Sequence, residues 1–261
     1  MRGAVILCIL YFVGFLFEDI RGNVTYMVRP KIIGGQPINI QDRPFMLSLH
    51  NMHGFLCGAS ILSNTWAITA LHCLISYKIL PIRYYVRAGS NKMDIGGSMH
   101  RVTSIRTYYD THRSWISSLL EHDIALIRVK PPFQFSKTVQ PVRLPRPIHK
   151  IPRELLICGW GYTSNEKKED AETLMGVLVE HVPYKACINA ESSYAILVKD
   201  DYHLCYGTQG KDACYGDSGG ALASKRTIYG LVSFGHGCGK VPGVYVKVSY
   251  YINWIKSVIN L

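Results

Sequence analysis

The sequence predicts an all-β chain closed by one amphipathic helix, and three observations carry that expectation. Short β-branched and aromatic runs recur from Ile32 onward, Gly, Pro, Asn and Ser punctuate them, and no long helical segments alternate with them. The runs are 45–49, 66–69, 84–87, 124–129, 174–179, 228–234 and 244–246, a spacing that fits sandwiches or barrels. At the end of the chain the period changes. Tyr251, Trp254, Ile255, Val258 and Ile259 recur at helical intervals, which puts five apolar side chains on one face of a helix over about 249–261.

The 261 residues carry 48% hydrophobic and 18% charged side chains, a globular balance that excludes disorder, collagen and coiled coil. Ala4 to Phe17 is the one long apolar stretch; it follows Arg2, is too short to span a bilayer, and reads as the core of a secretory signal over about 1–22. A secreted, extracellular protein with no membrane span is therefore expected. The Pro-rich passage from Lys130 to Pro147 suits a connection between two halves, near 135, and Thr163 to Glu172 reads as an exposed, protease-sensitive loop.

The formal charge is +11. Arg143, Arg146, Lys150 and Arg153 lie close together, as do Lys167 and Lys168, and such a surface suits an anionic polysaccharide or membrane, although ordinary solvated loop charge explains it as well. No arginine-rich run interleaved with aromatics points to nucleic acid. Of the eight cysteines, Cys8 falls in the signal, leaving Cys57, Cys73, Cys158, Cys187, Cys205, Cys214 and Cys238, an odd set that fits three disulfides and one thiol in an oxidising compartment. No Cys-x-x-Cys or His-Glu-x-x-His spacing supports zinc.

The chemistry concentrates in Gly216-Asp217-Ser218-Gly219-Gly220, where three glycines flank one serine and leave amide N–H groups free to converge. A serine hydroxyl is a weak nucleophile until a base takes its proton, and Thr69-Ala70-Leu71-His72-Cys73 and His122-Asp123-Ile124-Ala125-Leu126 supply a histidine and an acid. With Ile32-Ile33-Gly34-Gly35, these motifs resemble the trypsin-like, chymotrypsin-fold serine endopeptidases from about Lys31 to the C-terminus.

That resemblance implies two antiparallel six-stranded β-barrels, about 32–135 and 136–248, followed by the C-terminal helix. It implies His72 as base and acid, Asp123 as its orienting partner, Ser218 as nucleophile, and the Gly216 and Ser218 amides as the oxyanion hole. It implies a zymogen with propeptide 23–31, cut after Lys31 by a trypsin-like protease or by itself, whose freed Ile32 ammonium pairs with Asp217. Asp212, six residues before Ser218, stands at the floor of the primary pocket and selects Arg or Lys, with Gly235 and Gly243 as small wall residues and Ser233-Phe234-Gly235 pairing with the substrate backbone. Ala213 replaces a serine hydroxyl that many relatives offer there, which favours Arg over Lys.

The disulfides implied are Cys57 with Cys73, Cys187 with Cys205 and Cys214 with Cys238, leaving Cys158 as the free thiol. Leu71, Phe234, Ala221 and the short 237–242 segment depart from the family's usual residues and bear on subsites. The loop Gly89 to Gly97 holds only Asp94 as an acid, so no calcium site or other cofactor is expected. Expected partners are protein substrates and protein protease inhibitors, and the expected state is a monomer. The competing class is a non-catalytic binding module of the same fold that recognises polyanions or protein partners.

Overall fold

The computed structural model describes residues 34–78, 83–108, 121–146, 150–161 and 173–260. The signal, the propeptide, Lys31, Ile32 and the loop from Thr163 to Glu172 lie outside the described residues. The first barrel is formed by β2 (Met46–Asn51), β3 (Gly54–Ile61), β4 (Trp66–Thr69), β5 (Tyr85–Ala88), β6 (Ser98–Thr107) and β7 (Ala125–Lys130), closed in the order β2-β3-β4-β7-β6-β5. The second is formed by β8 (Glu154–Gly159), β9 (Met175–Val182), β10 (His203–Gly207), β11 (Ala221–Ser224), β12 (Thr227–Phe234) and β13 (Gly243–Lys247). Their order is β9-β10-β13-β12-β11-β8, and β8 pairs back onto β9 to close the ring. Two six-stranded antiparallel barrels are thus present, as expected.

The two-residue strand β1 (Gln36–Pro37) pairs with β9, so the chain touches the second barrel before it builds the first. Two short helices, α1 (Tyr184–Ala190) and α2 (Tyr194–Leu197), lie between β9 and β10, and α3 (Ile252–Ile259) ends the fold.

Period-two alternation explains how one strand serves two cores. On β7, Ala125, Ile127 and Val129 point into the first barrel with Leu47, Leu49, Ile61 and Val86, whereas Leu126 turns outward into a cluster with Phe45, Ile68, Leu231, Tyr251 and Ile255. The second barrel is filled by Leu155, Ile157, Val177, Val179, Tyr206 and Tyr245. Helix α3 buries Ile252, Ile255 and Ile259, each worth about 1.5–3 kcal/mol when fully removed from water. It ends at Asn260, whose left-handed backbone (φ 56°) returns its N–H to the Lys256 carbonyl.

The barrels are joined at Asn91, on the loop between β5 and β6. Its side-chain oxygen accepts from the Ile40 N–H (2.6 Å), and its carbonyl accepts from Trp160 Nε1 and the Leu174 N–H, both 2.7 Å. That loop is held from inside by Arg87, whose guanidinium donates to the carbonyls of Met93, Asp94 and Gly96. Carbonyls that converge on a metal in an ion-binding loop are satisfied here by a side-chain cation.

Candidate active site

His72 and Asp123 from the first barrel and Ser218 and Ser233 from the second meet where the two barrels face each other. Asp123 sits just before β7 at the centre of a tight turn, closed by the Ile124 N–H donating to the His122 carbonyl at 2.7 Å. Its carboxylate is buried and takes three bonds. Oδ1 accepts from the His72 backbone N–H (2.8 Å), while Oδ2 accepts from His72 Nδ1 (2.7 Å) and Ser233 Oγ (2.6 Å). The bond at Nδ1 puts the proton on that nitrogen and leaves Nε2 as the acceptor. Burial opposes protonation of His72, but the Asp123 charge and hydrogen bond outweigh it, so its pKa is raised. The His72 side chain is 30% exposed and opens to the cleft.

Ser218 arrives from the second barrel on the turn before β11. Its carbonyl accepts from the Gly58 N–H at 2.8 Å, which locks the turn onto β3. The glycines around it are steric requirements. A Cβ on Gly219 (φ 72°) would overlap Thr69 Oγ1, and one on Gly58 would lie 2.8 Å from the Gly220 Cα. Among the described residues Ser218 Oγ has no hydrogen-bond partner, and catalytic hydrogen bonds commonly tighten only around bound substrate. The Gly216 and Ser218 amides are likewise unused among the described residues, and Gly216 adopts φ 91°.

Asp217 lies wholly buried behind this turn. Oδ1 accepts from the Gly161 N–H (2.7 Å) and Oδ2 from the Cys214 N–H (3.0 Å), and the absence of side chains at Gly159 and Gly161 makes room for the carboxylate. Burial pushes its pKa up to about 7, against the pull of those two bonds. Asp212 is also buried; Oδ1 accepts from the Ala213 N–H (2.8 Å) and Tyr245 OH (3.3 Å), and Oδ2 from the Gly239 N–H (3.0 Å). Burial raises it to about 6. A Cβ on Gly243 would stand 2.8 Å from Asp212 Oδ1, so only glycine keeps that approach open, while a Cβ on Gly235 would meet Gly243 and Tyr194 at 3.6 and 3.7 Å.

Both aspartates bind their proton more tightly folded than unfolded, where a carboxyl titrates near 3.9. The unfolded chain therefore loses its protons first, and stability falls as pH rises from about 4 to about 7, then levels. Urea unfolding of the uncleaved chain across this range should show that decline, and Asp217→Asn should make it shallower. A parent whose stability is flat or rising between pH 4 and 7 rules this out.

The structure joins Cys57 to Cys73, Cys187 to Cys205 and Cys214 to Cys238. The first clamps the segment bearing His72, and the third ties the Asp212 segment to Gly239. Cys57, His72 and Cys73 are the one described grouping of metal-ligand residue types, and its two sulfurs are bonded to each other. Cys158 is buried and unpaired; burial pushes its thiol up to about 12, with the Arg43 guanidinium pulling the other way. Such a thiol is inert.

One side-chain role escaped the sequence reading. Ser233 is expected there through its backbone, yet its hydroxyl is the third donor to Asp123. Strand alternation could not have found it, because β12 shifts register between Val232 and Phe234 and Ser233 is the extra residue.

Comparisons with known proteins agree with the two-barrel fold. The Trypsin family model matches residues 32–255. The chain is 35% identical to trypsin epsilon of Drosophila erecta over 87% of its own length and 86% of the relative's. It is 34% identical to a trypsin of Phaedon cochleariae over 87% and 88%. Among solved structures, the mouse-brain serine protease neuropsin superposes with a TM-score of 0.76 at 27% identity, covering 87% of this chain and all of that one. With two six-stranded β-barrels and a family match over most of its length, the chain belongs to the trypsin family of serine endopeptidases.

Proposed function

We propose that this peptidase is secreted as a zymogen and, once cut after Lys31, hydrolyses peptide bonds after Arg, and less readily after Lys, through an acyl-enzyme formed on Ser218. The observation that carries the proposal is the pair of buried carboxylates: Asp123 hydrogen-bonds the histidine, and Asp212 lies buried beside Gly243, where the reading puts the floor of the primary pocket. In the reaction, His72 Nε2 takes the Ser218 proton as Oγ attacks the scissile carbonyl, Asp123 steadies the resulting imidazolium, and the Gly216 and Ser218 amides receive the oxyanion. His72 then passes the proton to the leaving amine. Water, activated by the same nitrogen, releases the acyl group and regenerates the serine.

Asp212 supports the cationic preference. Its carboxylate is costly to bury charged, and a guanidinium or ammonium in the pocket offsets that cost. Arginine's fork spans a carboxylate in two bonds, whereas lysine's single shorter ammonium relies on additional acceptors such as the hydroxyl oxygen that Ala213 lacks. Asp217 supports the zymogen reading, since its buried acid has no cation beside it among the described residues.

The test is the recombinant chain cleaved after Lys31, checked by N-terminal sequencing, and assayed on matched peptides with Arg, Lys, Phe or Leu before the scissile bond. Arg above Lys with no cleavage at Phe or Leu is expected, and Ser218→Ala abolishes turnover. Ala213→Ser should narrow the Arg-to-Lys ratio of kcat/KM several-fold; an unchanged ratio removes Ala213 from the argument. Correctly processed, folded protein with no turnover and no labelling by a serine-directed phosphonate returns the chain to the non-catalytic class.

A further inference from the structure

The basic run at Arg143, Arg146, Lys150 and Arg153 is diluted by acids. Arg153 pairs with Glu180 at 3.6 Å, and Glu154 follows it in the chain. A more uniform surface lies on the first barrel, and only the strand register exposes it. β6 and β7 pair so that Arg101 stands directly opposite Lys130, and Ser104 opposite Arg128. All three cations are exposed, and Arg106 lies further along β6 on the same outer face. None of the neighbouring strands β4, β5, β6 or β7 contains a single Asp or Glu. Among the described residues no carboxylate pairs with Arg101, Arg106, Arg128 or Lys130.

Directly opposed side chains on antiparallel strands come within about 5.5 Å at Cβ, and like charges there are destabilising. Same-face neighbours along a strand are about 7 Å apart, so Arg128 and Lys130 extend the cluster lengthwise. Arg128 is steadied at 6.0 Å over the Trp66 ring, which holds one of the cations in place without neutralising it. The fold thus maintains an internal repulsion that an external anion would relieve.

We infer that this face is a docking surface for a sulfated polysaccharide. A peptide that docks by strand addition needs a free strand edge, and one that docks by side-chain anchors needs an apolar slot. Neither is offered here, because β6 is paired on one side with β5 and on the other with β7 in a closed barrel. A flexible chain of sulfates needs only charge and N–H donors, and guanidinium groups bind such oxyanions in two bonds. Three disulfides fit an oxidising, extracellular setting, where a sulfated polysaccharide is within reach of such a surface.

The probe is immobilised heparin, with salt elution of the full chain, of Arg101→Gln/Lys130→Gln, and of Lys225→Gln/Arg226→Gln on the second barrel as a charge-matched control. The first double variant should elute at clearly lower salt and flatten the dependence of log affinity on log salt by about two contacts, while melting no lower than the parent. The control should elute with the parent. Co-elution of Arg101→Gln/Lys130→Gln with the parent overturns the proposal, as does an equal shift in the control, which would reduce the effect to net charge. Equally tight binding to polyglutamate or to anionic phospholipid vesicles overturns it too, since the surface would then not distinguish sulfated polysaccharide.

Discussion

An Asp123→Asn enzyme is expected to turn over about 10⁴-fold more slowly than the parent, the loss that the same exchange causes in the trypsin triad. The structural reason is in the hydrogen bonds. The carboxylate accepts from His72 N–H, His72 Nδ1 and Ser233 Oγ, and an amide oxygen can satisfy only part of that set while its NH₂ group faces donors. His72 then favours the tautomer with its proton on Nε2, where it can no longer accept from Ser218. KM should change little, because Asp123 does not reach the pocket. With the charge gone, the His72 pKa should fall from its raised value, moving the acidic limb of the kcat/KM profile to lower pH. Steady-state kinetics on an Arg peptide from pH 5 to 9 tests both parts, and a loss smaller than tenfold at the optimum contradicts the assigned role.

The second large effect comes from a residue with no side chain. Gly161→Ala would place a methyl on top of the Asp217 carboxyl, overlapping its carbon and both oxygens. The carboxylate is wholly buried and hydrogen-bonded to the Gly161 and Cys214 amides, so it cannot step aside without breaking them. Displacing it moves the 216–218 turn that presents the two unused amides. Overpacking of this kind costs about 1–3 kcal/mol, which for a domain of this size lowers Tm by roughly 5 °C. Loss of one oxyanion donor alone costs about 10²- to 10³-fold in kcat. Calorimetry together with kinetics should therefore show a folded but nearly inactive enzyme; a variant with parental kcat would mean that the turn does not depend on Asp217's position.

Much of this was legible in the sequence because the relevant physics is local. The glycines around Ser218 announce a backbone that must come close to something, and alternating apolar runs such as 124–129 announce a strand with two faces. What stayed hidden depends on pairing between distant segments. The closure of the second barrel rests on β8 meeting both β9 and β11, which no single run reveals. The hydroxyl of Ser233 meets Asp123 across 110 positions. Arg101 and Lys130 look like unremarkable surface charges until the register sets them side by side, and a bulge between Val102 and Ser104 makes that register unreadable by counting. The basic run at 143–153 drew attention because it is contiguous in sequence, which is a poor guide to contiguity on a surface.

Arg87 touches neither substrate nor catalytic residue, yet it bears on the width of the cleft. Its guanidinium fixes the loop that carries Asn91, and Asn91 is bonded at once to the strap leading out of β1 and to Trp160 and Leu174 of the opposite barrel. The spacing between two halves that each fold around their own core is thereby gauged from one side by a single half-buried anchor. Because that anchor is covalent to the chain, its bonds to the loop do not depend on protein concentration, and the jaw holds its setting on dilution.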